Sequence, residues 1–366
     1  MRLDSIHLRD FRNYQDTALE FAPGVNLIVG DNAQGKTNLL EAIAYLGSGK
    51  SFRALKTGEM IRFGRDFADL EGSVHSQQRQ QSLRWVLFAG SRPRQIWQNG
   101  VKKKTAGEIS GVLPTVLFCP EDLMVLKAGS AQRRRLGDHA LCQLRPNYDA
   151  ALTEYNRILD QKSRILKDHF ENPAMLEILP EYNLRLCQVG ALLISYRARF
   201  YDSLGKAAAK YHGQFSGFSE EFSLSYKTVS TVTDPFAPVS ELAFQLQEHL
   251  QSHYRAELET ASCLTGPHKD DFSVALSGID LKSYGSQGQT RTAAISLKLA
   301  QRELMGREWG EEPVLLLDDV LSELDPGRQD FVLNQIVSGQ VFITCCEPGR
   351  FTKLGKTIEI HKGNAL

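Results

Sequence analysis

Long hydrophobic runs are missing from this chain. None approaches the ~18 residues that a membrane helix needs, and the start, MRLDSIHLRDFRNY, is charged from its second residue. Neither a membrane span nor a secretory signal is readable, so a cytoplasmic protein without membrane association is the expectation. Cysteine pairing is missing too. Cys119, Cys142, Cys187, Cys263, Cys345 and Cys346 form no CxxC or His-flanked spacing, which predicts reduced core thiols rather than a metal cluster. Net charge is also absent, since 43 Lys and Arg balance 43 Asp and Glu. A polyanion would therefore have to be met by local patches. Internal repeats, low-complexity tracts and long linkers are not found. What remains is an ordinary globular composition, 42% hydrophobic and 23% charged over 366 residues, long enough for two or three domains.

Against that background, VNLIVGDNAQGKTNLLEAIAYL carries a specific chemistry. An apolar strand (Val25 to Val29) leads into Gly30, Asp31, Asn32, Ala33, Gln34, Gly35, Lys36 and Thr37, and a helix with Leu39, Ile43 and Leu46 at helical spacing follows. The eight residues fit GxxxxGK[ST]. Such a loop points backbone N–H groups and a helix N-terminus at a phosphate, brings Lys36 to the terminal phosphates and offers the Thr37 hydroxyl to Mg²⁺. ATP and Mg²⁺ are the cofactors this implies.

Far downstream, EEPVLLLDDVLSELDP contains a four-residue apolar run, Val314 to Leu317, as expected of a strand buried on both faces of a parallel sheet. It ends in Asp318 and Asp319. Adjacent carboxylates at such a strand end are costly unless a cation holds them. Asp318 is the expected Mg²⁺ residue with Thr37, and Asp319 the one placed to orient or deprotonate an attacking water.

Between these two motifs, SYGSQGQTR precedes the helix-friendly TAAISLKLAQREL. Ser286, Gln287, Gly288 and Gln289 resemble the Ser-Gly-Gly-Gln signature loop of ABC-type ATPases, with Gln287 in place of one glycine. The resemblance implies that Ser286, Gly288 and Gln289 meet the γ-phosphate held by the partner in a two-fold dimer, so Ser286 joins Lys36, Asp318 and Asp319 as a catalytic candidate. Read alone, the stretch is also a polar turn with an N-cap.

LRDFRNY, GKSFRALKTGEMIRFG, FCPEDL, the Arg133–Arg135 triplet, TGPHKDDF, GSQGQTRTAAISLKLA and LLLDDVLSELDPGRQ occur in this order. Together they resemble the RecF family of bacterial DNA replication and repair proteins, from the first strand to at least Arg328. The resemblance implies nucleotide contacts from Arg12 and Asn13. It also implies a role at gaps or stalled forks, acting together with RecO and RecR to help RecA displace single-strand binding protein, and so in supporting the SOS response. Two departures from the wider ABC-type superfamily stand out: Asp319 occupies the usual place of a Glu, which would fit slow hydrolysis, and VFITCCEPG has Thr344 and Cys345 but no switch histidine. His268 is left as a candidate polar residue near the site. Lys269 stands where the RecF family more often has Arg, which keeps the charge but loses bidentate geometry.

The fold expected is α/β: an ABC-type ATPase head with a mixed sheet, an antiparallel β-subdomain at about 66–104 and an inserted compact helical arm. The Asn99-Gly100 pair predicts a type I′ hairpin in that subdomain. The head is expected in two segments, 1–124 and 261–366, with the arm between them at 125–260. Within the arm, Leu186, Val189, Leu193, Tyr196 and Phe200 make a short heptad seam. Leu242, Leu246, Leu250, Tyr254 and Leu258 make an i, i+4 stripe.

Three basic clusters are DNA candidates: Lys50, Arg53, Lys56, Arg62 and Arg65; Arg92, Arg94, Lys102, Lys103 and Lys104; and Arg133, Arg134 and Arg135. Each alone is more often a solvated face, but a symmetric dimer would double them along one surface. No base-reading motif is visible, so DNA form, such as duplex beside a gap, is the expected target. An ATP-induced homodimer that clamps DNA and is reopened by weak ATP hydrolysis is the mechanism these features suggest. A transporter nucleotide-binding subunit and a small-metabolite kinase are the alternatives.

Overall fold

The computed structural model describes residues 1–336, 338–346 and 349–365. In chain order, β1 (Arg2–Phe11), β2 (Tyr14–Glu20), β3 (Val25–Val29) and α1 (Lys36–Ser48) come first. They are followed by β4 (Phe67–His75), β5 (Gln80–Phe88), β6 (Gln95–Gln98), β7 (Val101–Lys103) and β8 (Thr115–Phe118). Next are α2 (Ser130–Leu144), α3 (Pro146–Asp168), α4 (Leu179–Ser216), β9 (Phe222–Lys227), α5 (Val239–Thr260), β10 (Asp271–Leu276), β11 (Ile279–Asp280) and α6 (Leu281–Tyr284). The chain then continues through α7 (Gln287–Trp309), β12 (Val314–Leu317), α8 (Pro326–Gln335), β13 (Val341–Cys345), β14 (Lys356–His361) and β15 (Asn364–Ala365).

Two compact units result: Met1–Leu123 with Lys298–Leu366, and Met124–Leu297. The first contains a six-stranded sheet ordered β15-β14-β3-β13-β12-β8, parallel except for the β14–β15 pair. Strands β12 and β13 are buried along their whole length; β12 accordingly reads as an unbroken apolar run, and β13 as one interrupted only by Thr344. A second, antiparallel sheet is ordered β2-β1-β4-β5-β6-β7. It reaches back to Arg2, so the β-subdomain is larger than the 66–104 segment, because β1 pairs with β4 along most of its length. Asn99 and Gly100, both at positive φ, close the β6–β7 hairpin as its type I′ signal requires.

Helix α1 lies in the core shared by these sheets. Leu39, Leu40, Ile43 and Leu46 join one cluster with Leu3, Ile6, Leu70 and Trp85 from the antiparallel strands and with Ile28, Leu316 and Phe342 from the parallel ones. Burial on nearly every side explains a helix run with few charges. At its end the Trp85 indole N–H donates to Leu46 O at 3.0 Å.

In the second unit, α4 packs against α3, α5 and β9. Its seam residues Leu186, Val189, Leu193 and Phe200 are buried. The α5 stripe meets a neighbouring face: Leu242, Leu246 and Leu250 cluster with Cys187, Ala191 and Ile194, while Tyr254 is exposed. The segment is not wholly helical. Strand β9 pairs antiparallel with β10, whose Phe272, Val274 and Leu276 alternate inward. That pairing holds residues after 260 to the arm, so the boundary expected at 260/261 lies instead at 297/298.

A buried ionic network reinforces the same tie. Arg197, 3% exposed, donates to Asp138 at 3.0 Å, to Asp270 at 2.9 Å and to Pro267 O at 2.6 Å. Arg133 forks onto Asp271 through two 2.6 Å bonds. Replacing Arg197 by Met would leave Asp138 and Asp270 without their cation, and removing one partner of a buried pair costs about 3–5 kcal/mol. Urea unfolding should show that loss, with partial recovery when Asp270→Asn is added.

Candidate nucleotide site

The loop from Gly30 to Gly35 turns between the end of β3 and the start of α1. Gly35 has φ +120°, and a Cβ there would lie 2.6 Å from the Asn13 side chain; at Gly30 (φ +149°) it would meet Ile360 O at 2.4 Å. Only glycine fits either place. Four of the loop carbonyls, those of Gly30, Asp31, Gln34 and Gly35, are held by this chain. Lys36 Nζ donates to Gly30 O at 2.6 Å and Asp31 O at 3.0 Å. Asn13 Nδ2 and the Gly363 N–H donate to Gln34 O at 2.8 and 3.0 Å, and the Tyr14 hydroxyl donates to Gly35 O at 3.0 Å. Among the described residues no hydrogen bond takes up the N–H groups of Asn32 to Thr37. The loop therefore presents donors backed by a helix N-terminus, the arrangement that binds phosphate.

Asp318 and Asp319 follow β12 at the same end of the parallel sheet. Thr37 Oγ1 donates to Asp318 Oδ1 at 2.9 Å, and Thr344 Oγ1 to the same oxygen at 3.0 Å. Burial pushes the Asp318 carboxyl up, while these two hydroxyls pull it down. An ionised Asp318 is thus unfavourably placed until a cation joins it. Asp319 adopts φ 51°, ψ 9°, with its N–H donating to Thr344 Oγ1 at 2.8 Å. Thr344, which sequence reasoning noted only for not being histidine, is the hydroxyl that ties both acids together. Its neighbour Cys345 is buried, and burial pushes its thiol up to about 11.

Cys346 departs from the core-thiol expectation, because it is exposed. Its Sγ accepts from Lys36 Nζ at 3.4 Å and lies 3.0 Å from Asn32 Oδ1. Glu347 and Pro348 of the same stretch lie outside the described residues.

Asn13 braces the loop directly, but Arg12 faces α1: its guanidinium forks onto the fully buried Glu41 at 2.8 Å on both arms and donates to Glu59 O at 2.6 Å. Ser51 Oγ also donates to Glu41, at 2.5 Å. Arg53 donates to Asn38 Oδ1 at 3.0 Å and lies near enough to Asp318 to favour its ionised form.

The second unit holds the signature loop. Helix α7 already begins at Gln287, so Gly288, Gln289, Thr290 and Arg291 lie in its first turns rather than in a connector. The reason is a capping box: the Gln289 N–H donates to Ser286 Oγ at 3.2 Å, and the Ser286 N–H donates to Gln289 Oε1 at 3.0 Å. Ser286 and Gln287 are exposed. His268 sits inside the second unit, 2.7 Å from the Tyr155 hydroxyl and 3.1 Å from Cys263 O. Burial lowers its pKa to about 4, which makes it a neutral structural residue. Two of the Arg triplet are engaged within the unit as well: buried Arg133 holds Asp271, and half-buried Arg134 donates to Asp270 O at 2.6 Å. Only Arg135 of the three is exposed. Arg94 is bound to the Tyr45 hydroxyl at 2.8 Å, whereas Arg92, Lys102 and Lys104 are exposed.

Residues 2–365 match the family described as "RecF/RecN/SMC N terminal domain". The DNA replication and repair protein RecF of Agathobacter rectalis is 37% identical over 367 residues, 99% of this chain and 98% of that one. The chain belongs to the RecF family. RecF of Acetivibrio thermocellus is 36% identical, covering 96% of this chain and 95% of its own. A solved structure of the recombination mediator protein RecF-ATPrS in the RecFOR pathway matches with TM-score 0.93 and 34% identity, covering 100% of this chain and 97% of that one. An SMC head bound to the C-winged helix domain of ScpA, 16% identical with TM-score 0.57 over 100% of this chain and 97% of that one, shares the fold alone. The RecF architecture is thus an SMC-like head with its own arm, and a transporter-subunit reading is not favoured.

Proposed function

We propose that the chain is an ATP-controlled, DNA-binding dimer of recombinational repair. The carrying observation is the unmatched N–H face of the phosphate loop beside a Thr37–Asp318–Thr344–Asp319 cluster, together with an exposed, capped Ser286 on a separate unit. RecF-ATP is a solved relative at TM-score 0.91, which supports ATP as the nucleotide. Lys36, now on loop carbonyls, turns to the terminal phosphates. Ser286, with the α7 N-terminus, caps the nucleotide held by the partner subunit.

A Mg²⁺ site fits these residues. The Thr37 hydroxyl and one Asp318 carboxylate are hard oxygen donors on adjoining elements, and among the described residues no group of three or more acidic, His or Cys side chains competes for a metal. Mg²⁺ ordinarily takes one or two protein oxygens and completes its shell with phosphates and water. Such an ion would neutralise phosphate charge. Asp319 accepts the proton of the attacking water, and its carboxylate is one methylene shorter than a glutamate, which suits a slow switch.

DNA is held through phosphates by exposed Lys50, Lys56, Arg92, Lys102, Lys104 and Arg135, doubled by the two-fold. Gapped or junction DNA is the target, with RecR, RecO and RecA as pathway partners in the cytoplasm. Sedimentation on gapped duplex tests this: the protein should be a monomer without ATP, a DNA-bound dimer with it, and a monomer again as ATP is consumed. Asp319→Asn should slow turnover about a hundredfold, the low end for loss of a general base, and hold the dimer on DNA. A monomer at every ATP concentration would sink the proposal.

A further inference from the structure

The signature loop is attached to the end of the long arm helix by a chain of side chains that no motif marks. The Gln289 amide Nε2 donates to Glu220 Oε1 at 2.8 Å, and Glu220 Oε2 lies 2.9 Å from Nε2 of His212 in α4. His212 is fully buried and its Nδ1 has no partner. With Nδ1 unmatched, the ring meets Glu220 through its Nε2–H. The backbone beside Glu220 is fixed from the other side as well: Glu221 donates its N–H to Ser277 Oγ at 3.2 Å, and Glu221 O accepts the Ser277 N–H at 2.7 Å. Glu220 thus stands between the end of α4 and the β10–β11 hairpin.

We propose that Glu220, held by His212, is a positioning residue for the signature loop, setting the Gln289 amide and through it the Ser286 hydroxyl. The hydrogen bonds from Gln289 and His212 hold the Glu220 carboxyl below the usual carboxylate range, so at neutral pH it only accepts. An acceptor-only neighbour forces Gln289 to turn its NH₂ toward Glu220 and its Oε1 toward the Ser286 N–H, which is the orientation the capping box needs. Ser286 Oγ then accepts from the Gln289 N–H and keeps its own O–H free to donate to a phosphate oxygen. A flipped Gln289 would set two N–H donors against each other and open the box.

This inference rests on the partner-facing role proposed above for Ser286, and two readouts separate them. In the nucleotide-free full chain, Glu220→Ala should raise hydrogen exchange at the Gln289 amide about tenfold, the scale of losing one charge-assisted hydrogen bond. With ATP, the protein concentration at half-dimerisation should rise about tenfold while the monomer's ATP affinity stays unchanged. Glu220→Gln, which is no longer acceptor-only and sets an NH₂ against either Gln289 or the His212 Nε2–H, should show the same two losses. Unchanged exchange in Glu220→Ala, or wild-type exchange and dimerisation in Glu220→Gln, overturns the proposal. Failure of the wild type to dimerise would sink the partner-facing reading, whereas the exchange result would still decide whether Glu220 sets the loop.

Discussion

Lys36→Met should lower ATP affinity by about two to three orders of magnitude and abolish every nucleotide-driven change in sedimentation or DNA binding. Removing one partner of a desolvated charge pair costs about 2–5 kcal/mol. Lys36 is only 4% exposed, so its ammonium acts in a poorly screened place. The substitution also releases Gly30 O and Asp31 O, which now accept from Nζ. Some of the loss would therefore be loop order rather than phosphate attraction. Lys36→Arg separates the two contributions, since it keeps the charge but places bulky planar donors among those carbonyls. Titration with a fluorescent ATP analogue measures the affinity, and unaltered binding by the Met variant would remove the phosphate loop from the mechanism.

Ser286→Arg should leave ATP binding by the monomer intact and eliminate the ATP-dependent dimer. The side chain is exposed in the isolated chain, so the larger residue is accommodated there without repacking a core. Loss of the Ser286 cap also costs about 1 kcal/mol of helix stability, a local effect at the start of α7. The main effect is steric: an arginine cannot let a second subunit's nucleotide approach the loop backbone. An association shift of at least about a hundredfold, read by sedimentation at saturating ATP, is the expected result. Normal dimerisation would show that the loop faces something other than a partner's phosphate.

The elements of the site legible in the sequence are those carried by contiguous chain. Gly30 to Thr37 could be read because strand, loop and helix follow one another, and Val314 to Asp319 because a strand buried on both faces writes itself as a solid apolar run. The Asn99-Gly100 turn was visible for the same reason. What stayed hidden depends on partners distant in the chain. Thr344 gains its role only when β13 is laid beside β12, and the Arg12–Glu41 fork joins the end of β1 to α1. Arg133 looked like a member of a surface patch because charge runs usually are; its burial is decided by Asp271 in another element. Strand β9 escaped because FSLSYK is short, polar on one face and surrounded by strong helices.

Helix α1 sits inside the core between two sheets, and that fixes where movement can occur. Close-packed interiors resist small displacements, so a shift of this helix would have to disturb Leu70 and Trp85 on one side and Leu316 and Phe342 on the other together. The N-terminal end of the helix, where the glycine-rich loop enters, is in effect bedrock. Whatever reports the presence of nucleotide must come from groups standing on it, namely the Lys36 ammonium, the Asp319 backbone and the ends of loops, while the ground beneath them holds still.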